Sequence, residues 1–346
     1  VQGKTQGGKK VMENVKFVGS GSPHVKNNSS TRKIMLDVVI ALCPSFIAGI
    51  VFFGARTILM VLLAILSSFV SEVIYSLCCK KTFKEAINTD FSSVVTGFII
   101  GLSLNVKTAW YVPVFAGIFA VVVVKMLFGG TGCNVVNPAA AGRAFVFISF
   151  IALASSNMNN GWITPDGNVI VGATPITSAL EDGLSALGVT NLDLFLGTNL
   201  AGCIGETCKV AIIIGYIYLV ARRVIDFKWP LVYLAVTGLF TVMLKGFDFS
   251  WFLPSILSGG LMFVAVFMAT DYVTTPNTTL GNLIYFVALG LITAGLRVAC
   301  KVEVVTFALL LMNIVVPLID KWIIPKPFGS TQSGEAQTDK KEGAKQ

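Results

Sequence analysis

The sequence predicts an all-α polytopic membrane protein, with about ten transmembrane helices in two inverted five-helix repeats. Three observations carry that prediction. Of 346 residues, 54% are hydrophobic and only 13% charged, against about 25% charged in soluble domains, and the mean hydropathy is +0.78. Apolar blocks approaching the ~20 residues needed to cross a bilayer recur ten times. Polar motifs recur about 140 residues apart, an interval that spans five blocks.

These numbers exclude whole classes. Too few polar residues exist to cover a water-exposed surface, so a soluble enzyme is not expected. Disorder is confined to the polar ends. The net charge of +8 does not read as nucleic-acid binding, because the basic residues are scattered between apolar blocks. The single histidine, His24, precedes the first block, which excludes a bis-histidine haem and any zinc site built mainly on histidine. Seven cysteines sit mostly in apolar runs. Cys203 and Cys208 have the spacing of one edge of an iron–sulfur site but lack a second suitably spaced pair.

The ten blocks fall near 35–54, 57–79, 91–105, 110–128, 143–156, 198–220, 229–244, 250–269, 280–297 and 303–320. No cleavable signal peptide is visible in the polar first 33 residues, so insertion is expected to begin with the first helix. With the N-terminus inside, 20 of the 26 Lys and Arg residues fall on the termini and even-numbered loops, Lys125 and Arg143 among them. Only Arg56, Lys107, Lys209, Lys245, Arg297 and Lys301 are left. The positive-inside rule then predicts both termini in the cytoplasm and the long loop 157–197 outside. The expected divisions are 1–33, a polar N-terminal segment; 34–156, the first repeat; 157–197, the outer loop; 198–328, the second repeat; and 329–346, a polar tail.

The duplication shows in Phe128, Gly142 and Phe147, which match Phe267, Gly281 and Phe286 in spacing, and in Val95-Thr96-Gly97 beside Val236-Thr237-Gly238. An odd number of helices between the matches inverts the second half, as in many transport folds. Each half also carries a polar stretch beside an apolar block, 129–138 and 270–279, the second containing Asp271. Backbone of this kind lines a cavity, packs inside protein or lies at the surface. The pair is the best pointer to a central site, with two ordinary cytoplasmic loops as the alternative.

Ionisable residues inside apolar blocks are costly and mark candidate ion pathways. Glu72 and Glu206 inside blocks, Glu303 at the opening of the tenth, and Asp271 in the second polar stretch are those candidates. Glu206 and Lys209, three apart, have the spacing to neutralise each other, and Asp37 reads as interfacial. In the outer loop, Gly172-Ala173-Thr174-Pro175 sets Thr174 as a helix N-cap with proline at the first helical position. Its uncrowded hydroxyl and the following N–H groups suit a phosphate ester. On these residues alone a capped surface helix is the plainer reading, and a redox-silent channel or carrier fits the repeats and interior acids equally well.

Several strings together resemble one family. They are Ser22-Pro23-His24 with Met35-Leu36-Asp37; Phe128-Gly129-Gly130 with Asn137-Pro138-Ala139; Gly172-Ala173-Thr174-Pro175; and Gly205-Glu206. Phe267-Met268-Ala269-Thr270-Asp271 with Val273-Thr274-Thr275-Pro276, Met312-Asn313, and Pro317-Leu318-Ile319-Asp320 complete the set. Over roughly residues 20–328 the chain is similar to the family of the D subunits of Rnf complexes, the ion-translocating ferredoxin:NAD+ oxidoreductases, and of the B subunits of sodium-pumping NADH:quinone oxidoreductases. The resemblance implies a urea-transporter-like fold and FMN held on Thr174 through a phosphoester, attached by a flavin transferase outside the membrane. It further implies a second, noncovalent flavin such as riboflavin, the A, B, C, E and G subunits of the Rnf complex as partners, and electron transfer coupled to Na+ or H+ movement. The protein would then be one component of a cell (inner) membrane translocase, not catalytic alone. The motif departs from the family at Val171, where Ser or Thr is common, and at Asn168, where an acid often stands.

Overall fold

Each apolar block becomes helix because buried backbone in a lipid-facing segment has no other way to pair its own N–H and C=O groups. A computed structural model describes residues 30–80, 82–87, 90–150, 190–198, 202–300 and 304–324, with the backbone of 161–163 and 169–171. Its helices are α1 (Thr31–Phe53), α2 (Arg56–Cys78), the short α3 (Phe83–Ile87), α4 (Ser92–Ser103), α5 (Tyr111–Met126) and α6 (Pro138–Ser149). They continue with α7 (Asn191–Leu196), α8 (Lys209–Ala221), α9 (Lys228–Leu244), α10 (Phe252–Leu257), α11 (Leu261–Phe267), α12 (Thr279–Cys300) and α13 (Val305–Trp322). The one strand pair among the described residues, Gly161–Ile163 antiparallel to Val169–Val171, lies in the long loop.

Among the described residues, α1, α2, α12 and α13 are long and apolar enough to cross a membrane. The expected blocks are recovered as helices, with three corrections. The block expected at 143–156 starts at Pro138, because Asn137 is its N-cap, accepting from the Ala139 and Ala140 amides, with proline at the first position. The block expected at 198–220 is helical only from Lys209. Residues 202–208 before it form a non-helical segment whose Ile204 and Gly205 amides donate to Leu104 and Leu102 carbonyls at 3.1 and 2.7 Å. The block expected at 250–269 is broken into α10 and α11, bent by 59°. The break falls at Ser258-Gly259-Gly260, where Gly259 adopts a left-handed φ of +66°. That conformation has no steric cost for glycine.

Packing repeats by rank. Leaving α3 and α7 aside, the first five apolar elements are α1, α2, α4, α5 and α6, and the second five are α8, α9, α10–α11, α12 and α13. In each set the second element packs on the third and the fourth, the first on the third, and the fourth on the fifth. The two firsts, α1 and α8, touch each other, as do the two fifths, α6 and α13. The strings compared in the sequence do not share rank: Val95-Thr96-Gly97 lies in α4 and Val236-Thr237-Gly238 in α9. Small residues recur at such places because membrane helices pack through close backbone approach. A Cβ on Gly97 would lie 2.6 Å from the Ala64 carbonyl oxygen of α2, and one on Gly238 2.8 Å from the Phe252 ring.

Loops sort to two ends. At one end the Arg32 guanidinium lies over the Phe91 ring at 4.6 Å, Ser92 pairs with Thr131 at 3.2 Å, Tyr272 donates to the Val224 carbonyl, and Asn277 donates to Asp320 at 2.9 Å. At the other, Arg56 donates to the Thr108 carbonyl at 3.3 Å, near the chain that receives residues 204–205.

Candidate functional site

The two polar stretches singled out in the sequence meet. Asn137, while capping α6, donates from Nδ2 to the Met268 carbonyl at the end of α11, 3.0 Å away. Between the stretches lies a cavity of about 110 Å³, lined by Thr131, Asn134 and Asn137 from the first and Thr270, Asp271 and Tyr272 from the second. Val38, Val95 and Phe267 supply apolar wall, and the Lys125 ammonium, Ser92 and Thr96 supply polar wall. Asp271 also shapes its own turn, accepting from the Thr274 hydroxyl at 3.3 Å while its carbonyl accepts from Thr275 at 2.9 Å. That is the local bonding expected of an aspartate in a turn.

Lys125 leads from the cavity to Glu72. Its Nζ donates to Glu72 Oε1 at 2.8 Å and to Ser92 Oγ at 2.7 Å, and side-chain exposures of 3% and 8% leave the pair dry. Lys125 sits in the π-helical second half of α5, Phe119–Met126. Runs of that kind are rare and gather at functional sites.

A second buried cluster surrounds Glu206. The Arg143 guanidinium of α6 donates to its carboxylate and, at 3.8 Å, to Cys203 Sγ. Lys209 donates to the Glu206 carbonyl and to Gly259 O at 3.0 Å. Arg297 of α12, 2% exposed, donates to Ser255 O at 2.8 Å and Ser258 O at 3.4 Å. The break between α10 and α11 frees carbonyls that lipid cannot satisfy, and two buried cations satisfy them. Asp37, by contrast, pairs with the exposed Arg222 at 3.2 Å and accepts from Tyr218 at 3.0 Å, as an interfacial residue should.

The candidate acids therefore separate. Asp271 and, behind Lys125, Glu72 belong to the cavity; Glu206 belongs to the helix break; Glu303 and Thr174 lie outside the described residues. Lys125 and Arg143, counted in the sequence as loop charges, are buried partners of Glu72 and Glu206. A lone cation within or beside an apolar block was the available signal, because such a charge requires a partner. Asn313, named in the sequence only within the Met312-Asn313 string, is fully buried in α13 and hydrogen-bonded to the Tyr285 hydroxyl at 2.8 Å.

Spanning helices, a broken helix braced by buried cations and a cavity closed by two polar loops define an integral membrane protein. The chain belongs to the family described as NQR2, RnfD, RnfE, which matches residues 18–329. It is 35% identical over 324 residues, 93% of this chain and 98% of the relative, to the D subunit of the Na(+)-translocating ferredoxin:NAD(+) oxidoreductase complex of Acetobacterium woodii. It is 31% identical to the D subunit of the proton-translocating ferredoxin:NAD(+) oxidoreductase complex of Clostridium ljungdahlii, over 91% of this chain and 96% of that one. With the D subunit of the ion-translocating oxidoreductase complex of Halorhodospira halophila it shares 29%, over 93% of this chain and 98% of the relative.

Proposed function

We propose that this chain is a membrane subunit of a ferredoxin:NAD+ oxidoreductase that moves Na+ or H+ across the cell membrane, and that it relays electrons through FMN esterified to Thr174. The observation that carries the reading is the match along nearly the whole chain to the D subunits of two such complexes, one named for Na+ and one for protons. The Gly172-Ala173-Thr174-Pro175 string supports the attachment, since its residue types are those expected of a hydroxyl with small neighbours ahead of a helix start. When bound, the flavin supplies one- and two-electron transfer. The chain is not catalytic alone: the A, B, C, E and G subunits complete the complex, and a flavin transferase loads Thr174.

The orientation follows from charge. Lys125, Arg143, Lys209 and Arg297 are buried and drop out of the loop count. Eighteen Lys and Arg remain on the termini and even-numbered loops, against four elsewhere, Arg56, Lys107, Lys245 and Lys301. That balance favours both termini in the cytoplasm and Thr174 outside. A second, noncovalent flavin such as riboflavin belongs to the same reading.

The test is in-gel flavin fluorescence after denaturing electrophoresis, with the chain co-expressed with its flavin transferase beside Thr174→Val. A fluorescent wild-type band that is lost in the variant is expected. A dark wild-type band overturns the covalent relay and leaves a loosely held flavin, or a redox-silent channel or carrier, as the reading.

A further inference from the structure

We propose that a second cavity, between the α8–α9 loop and the first turns of α9 and α12, holds the headgroup of a phosphatidylethanolamine lipid. The cavity has a volume of about 320 Å³, at the low end of the range of small-molecule sites. It lies at the loop end of the fold where Asn277 donates to Asp320. Tyr272 and Val224 line both this cavity and the one between the two polar stretches, and the bond from the Tyr272 hydroxyl to the Val224 carbonyl belongs to the wall between them.

Three side chains on its wall define the ligand. Asn282 and Phe286, four residues apart on one face of α12, both line the cavity. The Asn282 Oδ1 atom is buried and has no hydrogen-bond partner; an acceptor in that state is costly until a donor reaches it. Arg223 follows the C-cap of α8 with a left-handed φ of +56°, a strained conformation for any residue but glycine, and the turn sets it on the cavity wall. Asp226 stands three residues further on, and neither it nor Arg223 takes part in an ion pair among the described residues. Opposite charges beside an unmet acceptor fit a zwitterion. Its phosphate meets the Arg223 guanidinium, and its ammonium N–H groups meet Asp226 and Asn282 Oδ1. The negative charge of Asp226 disfavours lipids of net negative charge.

The surroundings supply the rest of a lipid. Trp229, stacked on Phe286 with ring centroids 5.8 Å apart, lines the cavity from the first turn of α9, the level at which aromatic residues meet headgroups. Leu231 of α9 with Leu283 and Ile284 of α12 are exposed apolar chains in the same early turns. In a spanning helix such chains suit acyl tails, so headgroup and tails find their surfaces side by side.

The purified complex, delipidated in detergent, is offered equal amounts of phosphatidylethanolamine and phosphatidylcholine with the same acyl chains. The lipid retained on this chain is read by native mass spectrometry. Phosphatidylcholine carries the same phosphate but no N–H, so it cannot meet Asn282 Oδ1. Wild type is expected to retain phosphatidylethanolamine at least about fivefold over phosphatidylcholine, the ratio that corresponds to about 1 kcal/mol, the low end for a buried acceptor left unmet. Asn282→Leu is expected to remove that preference, and Asn282→Asp, which keeps an acceptor, to preserve it. Arg223→Gly, which suits the left-handed backbone, is expected to cut the retention of both lipids while the fold stays intact. Equal retention of the two lipids by wild type, a preference that survives in Asn282→Leu, or retention unchanged in Arg223→Gly overturns the site. So does phosphatidylglycerol held more tightly than phosphatidylethanolamine. Displacement of the lipid by an equal concentration of glycerophosphoethanolamine, which has the headgroup without the tails, overturns the assignment to a membrane lipid.

Discussion

A single methyl group at the helix break tests how tightly that break is built. A Cβ added at Gly260 would lie 2.5 Å from Glu206 Oε1, 2.6 Å from its Cδ and 2.8 Å from its Oε2. All three belong to one carboxylate that cannot simply swing away, because it is 3% exposed and bound to Arg143. Overpacking of this kind costs about 1–3 kcal/mol, and the figure rises toward about 5 if the carboxylate is pushed off its buried partner. At roughly 2–4 °C per kcal/mol for chains of 150–250 residues, Gly260→Ala should lower the unfolding midpoint by about 2–12 °C. The assay is heating in detergent with a thiol-reactive dye that reports the half-buried Cys43, Cys203 and Cys208. Gly295→Ala in α12 is the control: nothing lies within 4 Å of the added Cβ, and removing a glycine from a helix stabilises by about 0.4–1 kcal/mol. The two variants should therefore move in opposite directions. A Gly260→Ala protein that melts at or above wild type would refute the fixing of Glu206 against the break.

Other expectations follow from the same packing. Gly97→Ala sets a methyl 2.6 Å from backbone of α2, which cannot rotate aside, so it should destabilise more than Gly260→Ala in the same melt. Arg143→Met leaves Glu206 buried without its guanidinium and should cost about 3–5 kcal/mol; the double variant with Glu206→Gln should recover part of that loss, and a purely additive double variant would contradict the pairing. Cys78, Cys79, Cys133 and Cys300 are exposed. In right-side-out vesicles a membrane-impermeant maleimide should label Cys300 and spare the other three, and the reverse pattern would invert the proposed orientation.

Much of the fold was legible because apolar blocks and helices coincide wherever the block is continuous. Legibility failed where a glycine-rich or charged segment interrupts an apolar run that hydropathy averages over. Residues 202–208 and 258–260 read as helix interior, yet both interrupt their helices, and the Gly259 and Ser255 carbonyls are capped from distant helices by Lys209 and Arg297. Pairings of that range leave no local trace. The meeting of the 129–138 and 270–279 stretches was one of two readings that composition left open, since hydroxyl- and amide-rich backbone lines a cavity, packs inside protein or lies at the surface. The partners of Glu72 and Glu206 were not legible, because Lys125 and Arg143 stand beside loops and look like ordinary topology signals. The Asn137-Pro138 pair was readable as a helix start by its capping chemistry, and its placement inside a polar run hid it.

Whether Thr174 carries the redox group is decided by mass spectrometry of the chain isolated from its native complex. The peptide containing Thr174 should carry the added mass of one phosphoester-linked FMN in wild type, and none in Thr174→Val. An unmodified Thr174 peptide from active complex would contradict the proposed relay.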